Sequence, residues 1–97
     1  MIATHRKYCL SNRPNLHAHF EVNPIGKLDV EIIELQEHHT TEFDDLTFKS
    51  KGNCIEVSGK EHSVPWQCNL AVSDALELST LIEEANEEYE VLMRDLM

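Results

Sequence analysis

The stretch Leu16-His17-Ala18-His19-Phe20-Glu21-Val22-Asn23-Pro24-Ile25-Gly26-Lys27-Leu28-Asp29-Val30-Glu31-Ile32 decides the fold. Leu16, Ala18, Phe20 and Val22 fall on one side of an extended chain and His17, His19 and Glu21 on the other, the period-two pattern of a half-buried strand. Asn23-Pro24-Ile25-Gly26 sets Pro early and Gly late, the chemistry of a tight reversal. The alternation then resumes from Leu28 to Ile32, so the stretch predicts an antiparallel hairpin. The apolar pattern runs on to Leu35 but slips phase at Ile33, which predicts a bulge or burial on both faces there.

Downstream of this hairpin, Gln36 to Thr41 is polar and reads as a connection. Leu46-Thr47-Phe48-Lys49 and Cys54-Ile55-Glu56-Val57-Ser58 read as two short strands joined across Ser50-Lys51-Gly52-Asn53, where Gly52 and Asn53 can take positive φ. Val64 to Leu70 alternates again, and Pro65, which has no ladder N–H to donate, assigns it to an edge. The last element is helical. Leu78, Leu81, Ile82, Ala85, Tyr89, Leu92, Met93 and Leu96 recur at spacings of three and four and form one apolar stripe. Ser73 or Asp74 suits the N-cap, and Asp74 with Glu77 matches a capping box. The expected fold is one α+β domain over residues 1–97, with an antiparallel sheet of about four to five strands packed against a C-terminal amphipathic helix.

Hydrophobic content of 41% with 27% charged residues is ordinary for a globular domain, although the net charge is −10. That charge is gathered into blocks. Residues 1–20 hold three cations and no acid, residues 21–48 hold eight acids against Lys27, residues 49–73 carry +1, and residues 74–97 hold eight acids against Arg94. Charge of one sign concentrated on parts of a small globule makes a field that acts on cationic partners and repels nucleic acid. The cationic N-terminal block is expected to pair with the chain's own acids. Three cysteines without a CxxC pair fit reduced, buried thiols in a cytosol. Neither a leader-like apolar run near the start nor a stretch long enough to span a bilayer is present, so a soluble, cytoplasmic protein is expected.

Projected at about 100° per residue, Glu77, Glu84, Glu88 and Asp95 fall in one line beside the apolar stripe, and Glu83, Glu87 and Glu90 in a second line away from the core. Residues one turn apart stand about 5–6 Å from each other. A DNA strand offers one phosphate per ~3.4 Å of axial rise. Carboxylate rows of this kind can occupy sites that a basic protein uses for phosphates. Asp29, Glu31, Glu34, Glu37, Glu42, Asp44 and Asp45 supply a second group. A solvated, glutamate-rich helix is the plain alternative, but ordinary helices of that sort interleave lysines, and this one has Arg94 alone.

Other chemistries find less in the residues. His17 and His19 point the same way from a strand, and with His38, His39 and Glu37 or Glu42 they are the candidates for a zinc or other transition-metal site, but no ligand spacing is diagnostic. Glu42, Asp44 and Asp45 lack the EF-hand spacing and its glycine. No nucleophile elbow, P-loop or dinucleotide fingerprint occurs, and Ser63 with His62 is mere sequence adjacency. No catalytic residue, metal or cofactor is assigned. Six histidines near an acidic surface make its charge sensitive to pH around their unperturbed ~6.5.

In size and charge the chain resembles the small acidic α+β phage inhibitors that mimic DNA, among them anti-restriction and anti-CRISPR proteins. The resemblance spans the whole chain and includes no diagnostic motif. It implies a phage- or mobile-element-encoded inhibitor that enters the DNA groove of a host defence complex in the host cytoplasm, with a type I CRISPR surveillance complex the leading target. The helix and second-group acids named above would then face the target's Lys and Arg side chains, and their reversal would cost far more affinity than reversal of Glu56 or Glu61. The alternatives are a nuclease inhibitor or immunity-type protein, a small metal-binding domain, and an accessory subunit whose acids only solubilise it.

Overall fold

The computed structural model describes residues 3–95. In chain order the elements are β1 Thr4–Cys9, β2 His17–Asn23, β3 Lys27–Ile32, β4 Glu37–Glu42, β5 Thr47–Lys51, β6 Cys54–Glu61, β7 Val64–Ala71 and α1 Val72–Asp95, with 3-10 turns at Ile33–Leu35 and Phe43–Asp45. The strands pair antiparallel in two sheets, β1-β2-β3-β4 and β5-β6-β7. The α+β class and the C-terminal helix are as the pattern predicts. Among the described residues the strands number seven and divide into two sheets, where the pattern suggested one sheet of about four to five.

The hairpin of β2 and β3 forms as its alternation requires. Ala18, Phe20 and Val22 on β2 and Leu28, Val30 and Ile32 on β3 are buried, and the turn closes with Gly26 N–H donating to Asn23 O at 3.0 Å. Gly26 sits at φ +99°, which a side chain would oppose. The phase slip at Ile33 is neither a bulge nor double burial. The strand ends at Ile32, the chain tightens into a 3-10 turn, and Gln36 takes φ +55° to reverse it, leaving Ile33 and Leu35 exposed.

That reversal starts β4, so Gln36–Thr41 is not a connection. The strand carries no apolar alternation because its inward positions are Thr41, buried, His39, half-buried, and Glu37, exposed at the end. Its register with β3 pairs Glu31 with His38 and Asp29 with Thr40. The strand β1 is hidden in the sequence for a similar reason: of the positions facing the core side, Thr4, Arg6 and Tyr8, only Tyr8 is buried. In the β5–β6 turn Gly52 takes φ +72° but Asn53 does not take positive φ. The β6–β7 turn uses His62 and Ser63 at φ +51° and +69°, the doubly left-handed geometry of a tight hairpin. As Pro65 requires, β7 lies at the edge of its sheet.

The sheets are joined at two places. At one, Leu10 bridges Leu70 and Ser11 N–H donates to Asn69 O at 2.8 Å. At the other, Trp66 Nε1–H donates to Thr41 Oγ1 at 2.6 Å, and that hydroxyl donates to Lys60 O at 3.2 Å, which satisfies a buried threonine between β4 and β6. Gly59 makes this approach possible, since a Cβ there would lie 2.8 Å from Thr41 Cγ2 and 2.9 Å from Trp66 Cζ2. Glu61 strengthens the same seam by accepting from Thr40 N–H at 2.9 Å.

The helix α1 begins at Val72, directly after β7, before the predicted cap at Ser73 or Asp74. Asp74 remains in the first turn, where the helix dipole favours an acid, and Arg94 in the last, where it favours a cation. Ala75 and Leu78 are buried, and Leu81, Ile82 and Ala85 pack on the core. The helix touches β1, β2, β6 and β7, covering the side between the sheets. Its ~36 Å length exceeds the two short molecular extents of 25 and 23 Å, so it runs along the 45 Å axis. Leu96 lies outside the described residues, as do the side chains of Tyr89, Leu92 and Met93. Among the described residues no helix is long and apolar enough to cross a membrane.

Candidate functional site

The acids divide by what holds them. Glu77 belongs to the fold: Tyr8 O–H donates to its Oε1 at 2.6 Å, and Arg6 Nε lies 3.5 Å from the same oxygen. Burial, followed by that carboxylate, pushes the Tyr8 phenol up. The N-terminal cation Arg6 therefore pairs with an acid of its own chain. Of the other members of the predicted first line, Glu84 and Glu88 are exposed, and the side chain of Asp95 lies outside the described ones.

The second helix line is free. Glu83, Glu87 and Glu90 are exposed, and among the described residues neither they nor Glu84 and Glu88 have a cation within ion-pair distance. At about 1.5 Å of rise per residue, Glu83 to Glu90 spans ~10.5 Å, close to three phosphate steps of a DNA strand. Asn86 stands three residues after Glu83 and four before Glu90, so the three are neighbours on one helix face.

Asn86 also lines a cavity of about 150 Å³ with Ile25, Gly26, Lys27, Glu42, Phe43 and Asp44. This cavity brings the β2–β3 turn and the Phe43–Asp45 turn against the middle of α1. It follows that Glu42 and Asp44, both exposed, lie beside the Glu83 and Glu90 face. Asp45 is exposed in the same turn. The two predicted acid groups therefore meet through Glu42 and Asp44, whereas Asp45 lines a different cavity with Thr47, Glu56 and Lys60.

The remaining acids of the second group lie elsewhere. Asp29 and Glu31 are on the outer face of β3, among histidines. There Asp29 accepts from Thr40 Oγ1 and lies 3.9 Å from His38 Nε2, and Glu31 is flanked by His19 and His38 in the register. Nearby, His5 stacks on His19 with ring centroids 5.2 Å apart, and its Nε2 lies 3.8 Å from Glu21. Glu34 accepts from His17 N–H at 2.7 Å and sits 2.6 Å from His17 Nδ1; these two contacts, side chain first, hold its carboxyl down to about 2. Glu37 is exposed beside a separate cavity lined by Leu10, Arg13 and Leu35.

No single ligand set forms from the histidines singled out for metal. His17 is engaged by Glu34, His19 by His5, and His39 stacks on Trp66 at the seam, with Nδ1 3.6 Å from Glu61. Among the described residues no three of His, Cys, Asp and Glu are placed to share a metal ion. All three cysteines are free thiols; Cys68 is buried, which pushes its thiol up to about 12, whereas Cys9 is exposed and Cys54 half-buried.

Ile25, Phe43 and Asn86 were not legible as site residues from periodicity. For two of them the sequence holds a signal that could have served: Ile25 is a large apolar residue within a predicted turn, and Asn86 is the one neutral polar residue in the run from Glu83 to Glu88. Comparison with protein-family models, curated proteins and solved structures finds no match to this chain.

Proposed function

We propose that the protein is an inhibitor that binds the Lys/Arg-lined groove of a nucleic-acid-binding protein, its carboxylates standing where phosphates stand. One observation carries this reading: Glu83, Glu87 and Glu90 are exposed and unneutralised on a helix braced by both sheets, beside Glu42 and Asp44. Like charges at one-turn spacing cost a helix a few tenths of a kcal/mol per pair. Among the described residues no cation is within ion-pair distance to offset that cost, whereas a basic groove would. The contact face narrows to Glu83, Glu87, Glu90, Glu42 and Asp44, with Glu84 and Glu88 at its side; Asp45 lines a different cavity, with Glu56 and Lys60. Glu77, Asp29 and Glu34 serve the fold.

The host cytoplasm is the proposed site of action and a type I CRISPR surveillance complex the leading target, by resemblance. The test is a binding panel of that complex, a restriction endonuclease and a nuclease, each at low and moderate salt with duplex DNA as competitor. Salt-sensitive, DNA-competitive binding by a panel member supports the reading and names the target class. Charge reversal at Glu83 and Glu87 should cost at least tenfold in affinity, and reversal of Glu56 little. Glu61 is no suitable control, because it holds the seam between the sheets. Equal losses at Glu56 and the helix pair would refute the assignment.

A further inference from the structure

We propose that the cavity between the β2–β3 turn, the Phe43–Asp45 turn and α1 seats one arginine side chain of the basic partner, an inference that rests on the cationic-partner reading above. The cavity's volume of about 150 Å³ suits a single side chain rather than a backbone segment or a small-molecule cofactor. Ile25 and Phe43 supply apolar walls, Glu42 and Asp44 supply carboxylates, and Asn86 supplies an amide. Arginine matches that combination: its methylene stem lies on apolar surface, its planar head stacks on an aromatic face, and its N–H groups donate to carboxylates in a fixed fork. Lysine offers the charge without the plane.

The walls are held in place before any partner arrives. Phe43 N–H donates to Gly26 O at 2.9 Å, Gly26 N–H to Asn23 O at 3.0 Å, and Ile25 N–H to Asn23 Oδ1 at 3.0 Å, so the two turns are pinned together. A preformed pocket inside a charged rim is where an interface concentrates its energy, and arginine is among the residues that most often fill such pockets. Lys27, opposite Glu42 in the register, also lines the cavity and offsets one carboxylate. Glu83 and Glu90, either side of Asn86, restore the negative potential at the mouth.

The experiment titrates the whole chain with Nα-acetyl-arginine amide, Nα-acetyl-lysine amide and Nα-acetyl-citrulline amide, following the amides of Gly26 and Phe43 and the side-chain amide of Asn86 by NMR. The arginine compound should shift these three signals with millimolar affinity, as its small size dictates. Lysine should bind about threefold or more weakly, and citrulline should leave the signals unmoved. Asp44→Asn should weaken arginine about fivefold and Lys27→Gln should strengthen it about twofold. Because Phe43 packs on the core, the wall is tested at exposed Ile25 by Ile25→Ser. Shifts of equal size for lysine and arginine, or shifts spread along the helix glutamates without these three signals, would overturn the proposal. In the second case a panel member that still binds Glu83 and Glu87 leaves the cationic-partner reading standing, so the two failures are distinguishable.

Discussion

Gly59 and Thr41 set the distance between the two sheets. With a Cβ at residue 59 already inside 3 Å of Thr41 and Trp66 side-chain carbons, Gly59→Ala is an overpacking change and should destabilise the fold by about 2 kcal/mol. The check is a chemical-denaturation midpoint that falls while the slope stays constant. Glu34 makes a prediction of a different kind. A carboxyl whose folded value is depressed stabilises the fold above its unfolded value and loses that contribution as pH falls through the folded one. The advantage of the native chain over Glu34→Gln should therefore be complete above about 4.5 and disappear by about 2. Thermal melts of both proteins across that range check it, and a pH-independent gap would contradict the His17 contact as its cause. Individual residues of this sort were the least legible in the sequence. Glu77 looked like a member of a free row, but its position beside the buried Ala75 and Leu78 brings it to Tyr8, a contact between residues 69 apart that no local pattern encodes.

The elements were legible in proportion to their apolar contrast. β2, β3 and the helix each place a clean hydrophobic face on the core, so period alone identified them. β1 and β4 place mixed side chains there and are strands because their neighbours supply the ladder, a tertiary override of local pattern. The acid group at residues 42–45 was visible as composition, but its meeting with α1 depends on a 3-10 turn pinned by Gly26, which composition does not show. The helix itself carries the sharpest consequence of the account. If Glu83, Glu84, Glu87 and Glu88 serve a partner at the expense of the free protein, then Glu87→Lys should raise helix stability by a few tenths of a kcal/mol through new pairing with Glu83 at one-turn spacing, while weakening binding to a basic partner. Melting temperature and affinity measured on the same variant check it; a variant that gains in both would contradict the trade.

Across the whole molecule the charge is arranged, not merely excessive. The outer face of β1 to β4 interleaves histidines with carboxylates, and Glu21 and Asp29 there lie 3.8 and 3.9 Å from ring nitrogens of His5 and His38. The outer face of β5 and β6 carries Lys49, Lys51 and Lys60. Among the described residues Glu83, Glu87 and Glu90 on α1 have no cation within ion-pair distance, and Glu42 and Asp44 lie against the same helix at Asn86. A molecule polarised in this way presents one face to a cationic cleft and steers it there, with an association rate that falls as salt shortens the screening length. The most direct test of this claim is the affinity of the triple variant Glu83→Gln/Glu87→Gln/Glu90→Gln, against the unaltered chain, for the DNA-groove proteins of the binding panel at low salt. The account predicts that at least one binds the unaltered chain in competition with duplex DNA, and that the triple variant loses about a hundredfold or more through its missing charge-assisted contacts. A panel without DNA-competitive binding, or a triple variant that binds as tightly as the native chain, would contradict it.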